Sequence, residues 1–328
     1  MALVAIGCVL VLLAISWRLA IAPALKVVPT NIDLLLFYDG TFTNFVNPPG
    51  QPVVGAKPAQ VPVRIERRVF SRPIDSTPAV AIMETDTQVV SQQGNKTLSS
   101  RKQVYALDRN TGKMVHSRKA DRERSGYYLL FPYNTPRGPV PLWSELTGRT
   151  YPAKYQGSEK VDKVDIYDFA MSFGGQPLAA PPEGYPAELT GALLKQMLSM
   201  PGLAVADTQA VRPSFTGSSS VDLKTEPKSG TIVDTSRSRE SVSITVKGPS
   251  GALLVTRVLS TLEYEQTPTS VEGTAGYALD QITKLRLQFL YLPLGLLLLG
   301  IALVLIGFFA GVKPAAGHGE GVGQTRSE

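Results

Sequence analysis

Apolar residues collect at the two ends of this chain and alternate with polar ones between them. Residues 2–22 (ALVAIGCVLVLLAISWRLAIA) and 289–312 (FLYLPLGLLLLGIALVLIGFFAGV) are long apolar runs. About 20 such residues, each rising 1.5 Å, cross the hydrocarbon core of a bilayer as a helix. Two crossing helices put both termini on one side of the membrane. Everything from about residue 27 to residue 284 then lies on the other side, tethered twice. The first run lacks the basic start and short apolar core of a cleaved signal, so an uncleaved anchor is expected. Its only small-x-small exit site, Ala20-Ile21-Ala22, is followed directly by Pro23. Too few residues precede Cys8 for a lipoprotein signal, so it reads as a small residue within a membrane helix.

In the second run, Pro293 lies near the start, where a missing amide donor does least harm. Phe289 and Tyr291 sit where aromatic rings prefer the interface, and Lys284 and Arg286 mark the water boundary. Gly307 and Gly311 form a Gly-x-x-x-Gly pair, a candidate helix–helix packing face for the first helix or for self-association. The ordinary glycine content of membrane helices is the alternative. Charge near the spans leaves the orientation open, because long loops translocate largely regardless of charge.

Between the spans the texture is β. Residues 61–69 (VPVRIERRV) alternate apolar and polar side chains, as a half-buried strand does. Further strands are predicted at 79–90, 104–107, 113–117, 127–131, 151–155, 163–173, 220–224, 230–235, 241–247 and 252–263. The Asp108–Gly112 stretch reads as a turn between two of them, its glycine supplying a positive φ. A helix over 186–200 places Leu189, Leu193 and Met197 at helical spacing and ends at Pro201-Gly202. That stripe is core by default. It is also the best candidate for the lining of an apolar groove, since methionine adapts to irregular surfaces. A last helix, about 277–286, leads into the second span. Residues 105–117 and 221–235 echo each other: each has a polar turn ending in Thr-Gly or Ser-Gly before an x-Met-Val or x-Ile-Val strand. Two curved sheets built from similar hairpins would explain the echo, as would convergent turn chemistry. Residues 47–60 are Pro/Gly-rich and 311–328 Gly-rich, and both are expected to be mobile.

The expected organisation is therefore a transmembrane helix over 1–23, a juxtamembrane and Pro/Gly-rich loop over 24–62, and a β-rich domain over 63–276. A juxtamembrane helix and second span follow over 277–312, then a tail over 313–328. The fold class is α+β: an antiparallel β-rich ectodomain of two curved sheets with a short helix, between N- and C-terminal transmembrane helices.

The net charge is +6. Arg64, Arg67 and Arg68 form one basic cluster, and Arg118, Lys119, Arg122 and Arg124 another, each interleaved with acids. A solvated strand face is the plain reading; contact with anionic head groups or wall polymers is the sharper one. Nucleic acid is not expected, since no zinc-finger spacing or RNA-binding aromatic signature accompanies the charge. One cysteine excludes an internal disulfide, and with two histidines no soft-ligand metal cluster can be built, so neither metal nor cofactor is expected. Gly-x-Ser-x-Gly, the P-loop and the dinucleotide fingerprint are absent, and the chain is read as non-enzymatic, with no catalytic residues.

Residues 127–173 carry a recognisable pattern. A Leu-x-Phe-Pro-Tyr strand (Leu129 to Tyr133) precedes a Trp-centred segment at Trp143. An Ala-x-Tyr-x-Gly-x-Glu strand follows (Ala153 to Glu159), then Val164 to Phe169. With the flanking spans, this resembles the actinobacterial two-span envelope proteins labelled "porin PorA". The resemblance implies an envelope location, an extracytoplasmic domain and cytoplasmic termini. The layout is also similar to that of class B scavenger receptors, with two spans around a β-rich, lipid-conducting ectodomain. A porin barrel needs many strands with an apolar outer band and no apolar helices, the opposite of this chain. The expectation is an envelope protein whose ectodomain binds or passes an apolar or amphiphilic component. Its expected partners are membrane lipid, an envelope lipid or glycolipid, and further copies of itself through the helices. A structural scaffold or an oligomeric pore are the alternatives.

Overall fold

A computed structural model describes residues 2–46, 58–161, 164–248 and 251–311. The chain divides into two compact units, one built from its two ends and one from Val27–Ile282. Residues 47–57 and 312–328, for which mobility was expected, lie outside the described residues, and residues 58–60 lead into a strand.

The terminal unit is a helical pair. Helix α1 (Ala2–Ser16) continues through a π turn (Trp17–Ile21) into α2 (Ala22–Leu25). Its partner reaches Gly311 through a second π turn. Ala2–Ile21 and a stretch within Pro268–Phe309 are long and apolar enough to cross a membrane. Both are apolar on all sides, as lipid-facing helices are.

The inner unit is a sheet. Its first half is a four-strand meander: β1 (Asp33–Asn44), β2 (Ala59–Ser71), β3 (Val80–Ser91) and β4 (Thr97–Asp108). Then come β5 (Val140–Ser144), β6 (Arg149–Val161) and β7 (Val164–Pro177). A small excursion follows: β8 (Leu189–Thr190), helix α3 (Gly191–Leu198) and β9 (Ala210–Val211). The chain returns as β10 (Ser214–Thr225), β11 (Ile232–Lys247) and β12 (Leu253–Gln266), and leaves through α4 (Pro268–Arg286), a π turn (Leu287–Tyr291) and α5 (Leu292–Gly311).

Ten strands form one sheet in the order β4-β3-β2-β1-β12-β11-β10-β7-β6-β5, every neighbour antiparallel. One large sheet, not two, therefore carries the domain; the second sheet is only the β8–β9 pair. Hydrogen bonding does not stop at the edge strands. The Val115 amide donates to Ala106 on β4, and the Met114 amide to Gly126. The Tyr127 amide then donates to Pro141, and the Trp143 amide on β5 to Tyr127. Two single bridges thus join the first edge to the last, and the sheet closes into a ring. These contacts cover part of the two edge strands, which an open sheet would have to protect.

Several expectations change. Residues 33–44, expected as loop, are β1, which sits between β12 and β2 at the middle of the sheet. Residues 113–117 and 127–131 are not full strands but supply the two bridges. Residues 230–235 and 241–247 fuse into β11, and the helix expected over 186–200 shrinks to α3. Thr190 caps α3 by accepting from the Leu193 amide, and Ser199 ends it in the left-handed region. Helix α4 begins nine residues before the expected start at 277, Pro268 standing at its first turn.

The internal echo is one turn made twice. At Asp108–Gly112 and Glu226–Gly230 the glycine amide donates back to the acidic residue's carbonyl (2.8 and 2.9 Å) with φ of +74° and +72°. In each, the acidic side chain accepts two amides of its own turn. Gly112 lies against Leu130 and Gly230 against the Phe131 carbonyl, so the two turns hold one connecting loop. The Phe131 side chain of that loop is fully buried against Phe169, at 4.8 Å between ring centroids.

Candidate functional site

Strand register separates the two faces of the ring. Asp39 with Arg64, Asp33 with Arg68, Asp86 with Lys102 and Glu263 with Arg239 pair on the outer face, all between 2.7 and 3.5 Å. These pairs are largely exposed. A charged outer face of this kind cannot stand in lipid, so the ring is not a transmembrane barrel.

The inner face begins as core and changes character midway. Along β2, Val63, Ile65 and Val69 point inward with Arg67 among them. In register with them, Leu36, Tyr38 and Gly40 line β1, Thr87 lines β3, and Arg101 and Tyr105 line β4. Tyr264 on β12 and Ser238 and Glu240 on β11 complete the belt. The Arg67 Nε donates to Thr87 Oγ1 (3.3 Å), and its guanidinium lies over the Tyr38 ring at 5.6 Å. Tyr38 meets Tyr264 edge to face at 5.5 Å, and Tyr105 stacks on Tyr128 at 5.3 Å. Among the described residues, Arg67 forms no ion pair with any carboxylate.

Burial sets the electrostatics of this belt. Desolvation raises the Glu240 carboxyl, and the charges of Arg67 and Arg101 offset only part of it. Desolvation likewise pushes the hydroxyls of Tyr38, Tyr128 and Tyr264 up. Burial opposes the Arg67 charge and the oxygens of Tyr128, Tyr38, Tyr264 and Tyr105 favour it, so the guanidinium is held well above its ordinary range. These influences cross the ring. Glu240 on β11 and Arg101 on β4 are five strands apart along the sheet, roughly 24 Å at ~4.8 Å per strand. The Arg101 charge reaches Glu240 because the sheet curls back.

Arg67, Tyr128, Glu240 and Tyr264 nevertheless remain half-exposed, while Tyr38 and Tyr105 are buried. A ring of about eight strands is just filled by its side chains, and wider ones enclose space. Ten strands and two bridges exceed that size. The exposed surface of these inward groups is what a ring too wide to be filled by its side chains would leave.

The belt is flanked by apolar clusters on both sides. On one side, Leu194, Met197 and Leu198 of α3 pack with Phe215, Ile244, Val246 and Leu259. On the other, Met83, Leu107, Met114 and Trp143 cluster with Leu34, Leu36, Leu130 and Tyr277. The seam between β4 and β5 carries a buried ion pair. Arg124 Nε donates to Glu145 (2.6 Å) and its Nη1 to the Val104 carbonyl (3.1 Å), while Gln103 donates to the same carboxylate (2.8 Å). Arg122 also pairs with Glu145.

The residues singled out in the sequence fall as follows. Leu189 and Met197 are buried (2% and 8% exposed) in the cluster under α3, and Leu193 packs against it half-buried. They belong to the apolar cluster on one side of the belt and do not contribute to the belt itself. Of the first basic cluster, Arg64 and Arg68 point outward, but Arg67 points into the ring. Of the second, Arg124 is buried at the seam. Gly307 lies against Val4 of α1, and a Cβ there would meet Val4 at 2.8 Å. The side-chain surroundings of Gly311 lie outside the described residues. Gly7 and Gly300, not singled out in the sequence, face each other: a Cβ on either would come within 2.8 Å of the other's carbonyl oxygen. The groups of the belt were missed as well, although the sequence held a signal. Arg67 interrupts the apolar face Val61-x-Val63-x-Ile65-x-Arg67-x-Val69, and Glu240 interrupts the series that continues as Val242, Ile244 and Val246.

A family model described as Porin PorA matches residues 1–309, nearly the whole chain. The chain belongs to the Porin PorA family. No curated protein matches it. Family membership and the two apolar helices identify a membrane protein. Among the described residues, no group of three or more His, Cys, Asp or Glu is placed to hold a metal ion.

Proposed function

We propose that this PorA-family chain is a non-enzymatic envelope protein whose β ring binds, or passes, a lipid or other amphiphile through its internal chamber. In this reading the ring lies on the extracytoplasmic side and both termini are cytoplasmic. One observation carries it: Arg67, Tyr128, Glu240 and Tyr264 keep exposed surface while enclosed by the ring. The lining also suits an amphiphile, since a polar, aromatic belt lies between two apolar clusters. The charged outer face keeps the ring in water, and the helical pair supplies the anchorage.

Mass spectrometry of material that co-purifies with the full chain tests this reading. It predicts lipid or glycolipid retained at a defined ratio after detergent exchange. A chain that carries nothing and takes up no amphiphile contradicts it. The printed family name favours a second reading, an oligomeric pore. That reading predicts defined conductance steps from purified protein in planar bilayers, whereas the binding reading predicts none.

A further inference from the structure

Arg67 is an unusual charge to place inside a ring. Its neighbours are a threonine hydroxyl and the tyrosines 38, 105, 128 and 264, none of which neutralises it. Glu240 acts on it through space but lies beyond ion-pair distance among the described contacts. Arg101, exposed but in register with Arg67 through Thr87, adds a second positive charge on the same face. By contrast, Arg124, which is buried, is neutralised by Glu145 and Asp121. Even a half-buried charge is costly to enclose without a carboxylate partner, and a ligand anion would complete it. Guanidinium is the side chain best suited to bind phosphate or carboxylate through paired hydrogen bonds. Phenol hydroxyls add neutral donors, and their rings offer flat apolar walls for the carbon skeleton beside the anion.

We propose that the chamber takes an anionic group, phosphate or carboxylate, on Arg67, with Arg101 alongside and the hydroxyls of Tyr128 and Tyr264 as further donors. This deepens the amphiphile reading and rests on it, because it names the charge of the headgroup. Glu240 opposes the anion, so it weakens binding at neutral pH and sets an upper limit on affinity. Loss of the Arg67 charge and loss of the Glu240 charge should therefore move binding in opposite directions, which no general loss of folding can imitate.

The test is native mass spectrometry of the full chain in non-ionic detergent. The chain is titrated with micelles doped with phosphatidylglycerol, with phosphatidylcholine, or with inorganic phosphate alone. The wild-type chain is expected to retain phosphatidylglycerol over phosphatidylcholine. Arg67→Gln should lower that retention roughly 10- to 100-fold, the loss of charge-assisted hydrogen bonds. Arg67→Lys should restore part of it, and Glu240→Gln should raise it a few-fold. Displacement of the lipid by millimolar phosphate in the wild type, but not in Arg67→Gln, supports the site and makes a free anion its occupant. Resistance to phosphate supports a lipid headgroup. Equal retention of both lipids by the wild type and Arg67→Gln overturns the anion site but leaves the chamber standing. If no chain retains any lipid or phosphate, both fail.

Discussion

The helical pair and the β ring are held together by opposite means. In the helical pair, close contact comes from what is missing. Gly7, Gly300 and Gly307 carry no side chain, and the backbones approach until a single Cβ would collide. Lipid gives apolar helices no hydrophobic reason to associate, so packing and a few hydrogen bonds must suffice. Trp17 donates to the Gln288 carbonyl (2.9 Å) and Arg18 to the Phe289 carbonyl (3.1 Å). Both acceptors lie in the π turn of the second helix, and both donors in the π turn of the first. In such turns the regular ladder is broken, so carbonyls are available to side chains. In the ring, the two bridges that close the sheet are backed instead by a paired charge, Arg124 with Glu145. Each unit uses the interaction that its solvent makes effective.

The largest expected effect lies at the seam. Arg124→Ala leaves Glu145 buried with Arg122 and Gln103 alone, and breaking a buried pair from one side costs roughly 3–5 kcal/mol. For a domain of this size that is a fall in Tm on the order of 10 °C, read by circular dichroism of the full chain in detergent. An unchanged Tm would mean the ring is not held at this seam. Next comes Gly300→Leu, which forces side-chain atoms into the α1 backbone and costs about 1–3 kcal/mol by overpacking. Gly295→Leu, with nothing within 4 Å, is its control and should be neutral. Equal effects from the two would remove the seam between the helices. Trp17→Phe should cost about 0.5–1.5 kcal/mol, the net worth of one hydrogen bond, measured by thermal melting of the same material.

The smallest effect is a pH slope. The Glu240 carboxyl is raised on folding, so the folded state binds its proton more tightly than the unfolded state does. Below the unfolded value of an ordinary glutamate, both states are protonated and the residue contributes nothing to the slope. Stability then falls as pH climbs from that value to the raised folded one, and the penalty persists above it. Glu240→Gln should therefore be more stable than the wild type at neutral pH, and the difference should vanish in acid. A difference independent of pH, followed by urea unfolding across that window, would show that the carboxyl is not desolvated.

The spans, the antiparallel strands and the paired turns at Asp108 and Glu226 were legible in the sequence. Each is written in a local pattern: an apolar run, a period of two, or an acid followed by a glycine in the left-handed region. β1 was not legible, because Asp33 to Asn44 opens with three leucines in a row and shows little alternation before Phe37. Its strand character comes from pairing with β2 on one side and with the distant β12 on the other. Closure of the ring was equally hidden. It rests on two isolated bridges that join segments too short to carry a period. The belt was half written. Arg67 stands on an apolar face, but it also stands between Glu66 and Arg68, and composition alone groups it with the solvated charges.

The chamber is tested most directly by comparing two adjacent positions on β12. Leu262 faces inward and half-buried, and Glu263 faces outward and exposed. In a Cys8→Ser background, Leu262→Cys and Glu263→Cys would each be reacted with small and large thiol reagents. The closed ring predicts that position 263 reacts with both sizes. Position 262 should react only with the small reagent, and more slowly once an amphiphile is bound. Equal reaction of the two positions with the large reagent would contradict a closed ring around an internal chamber.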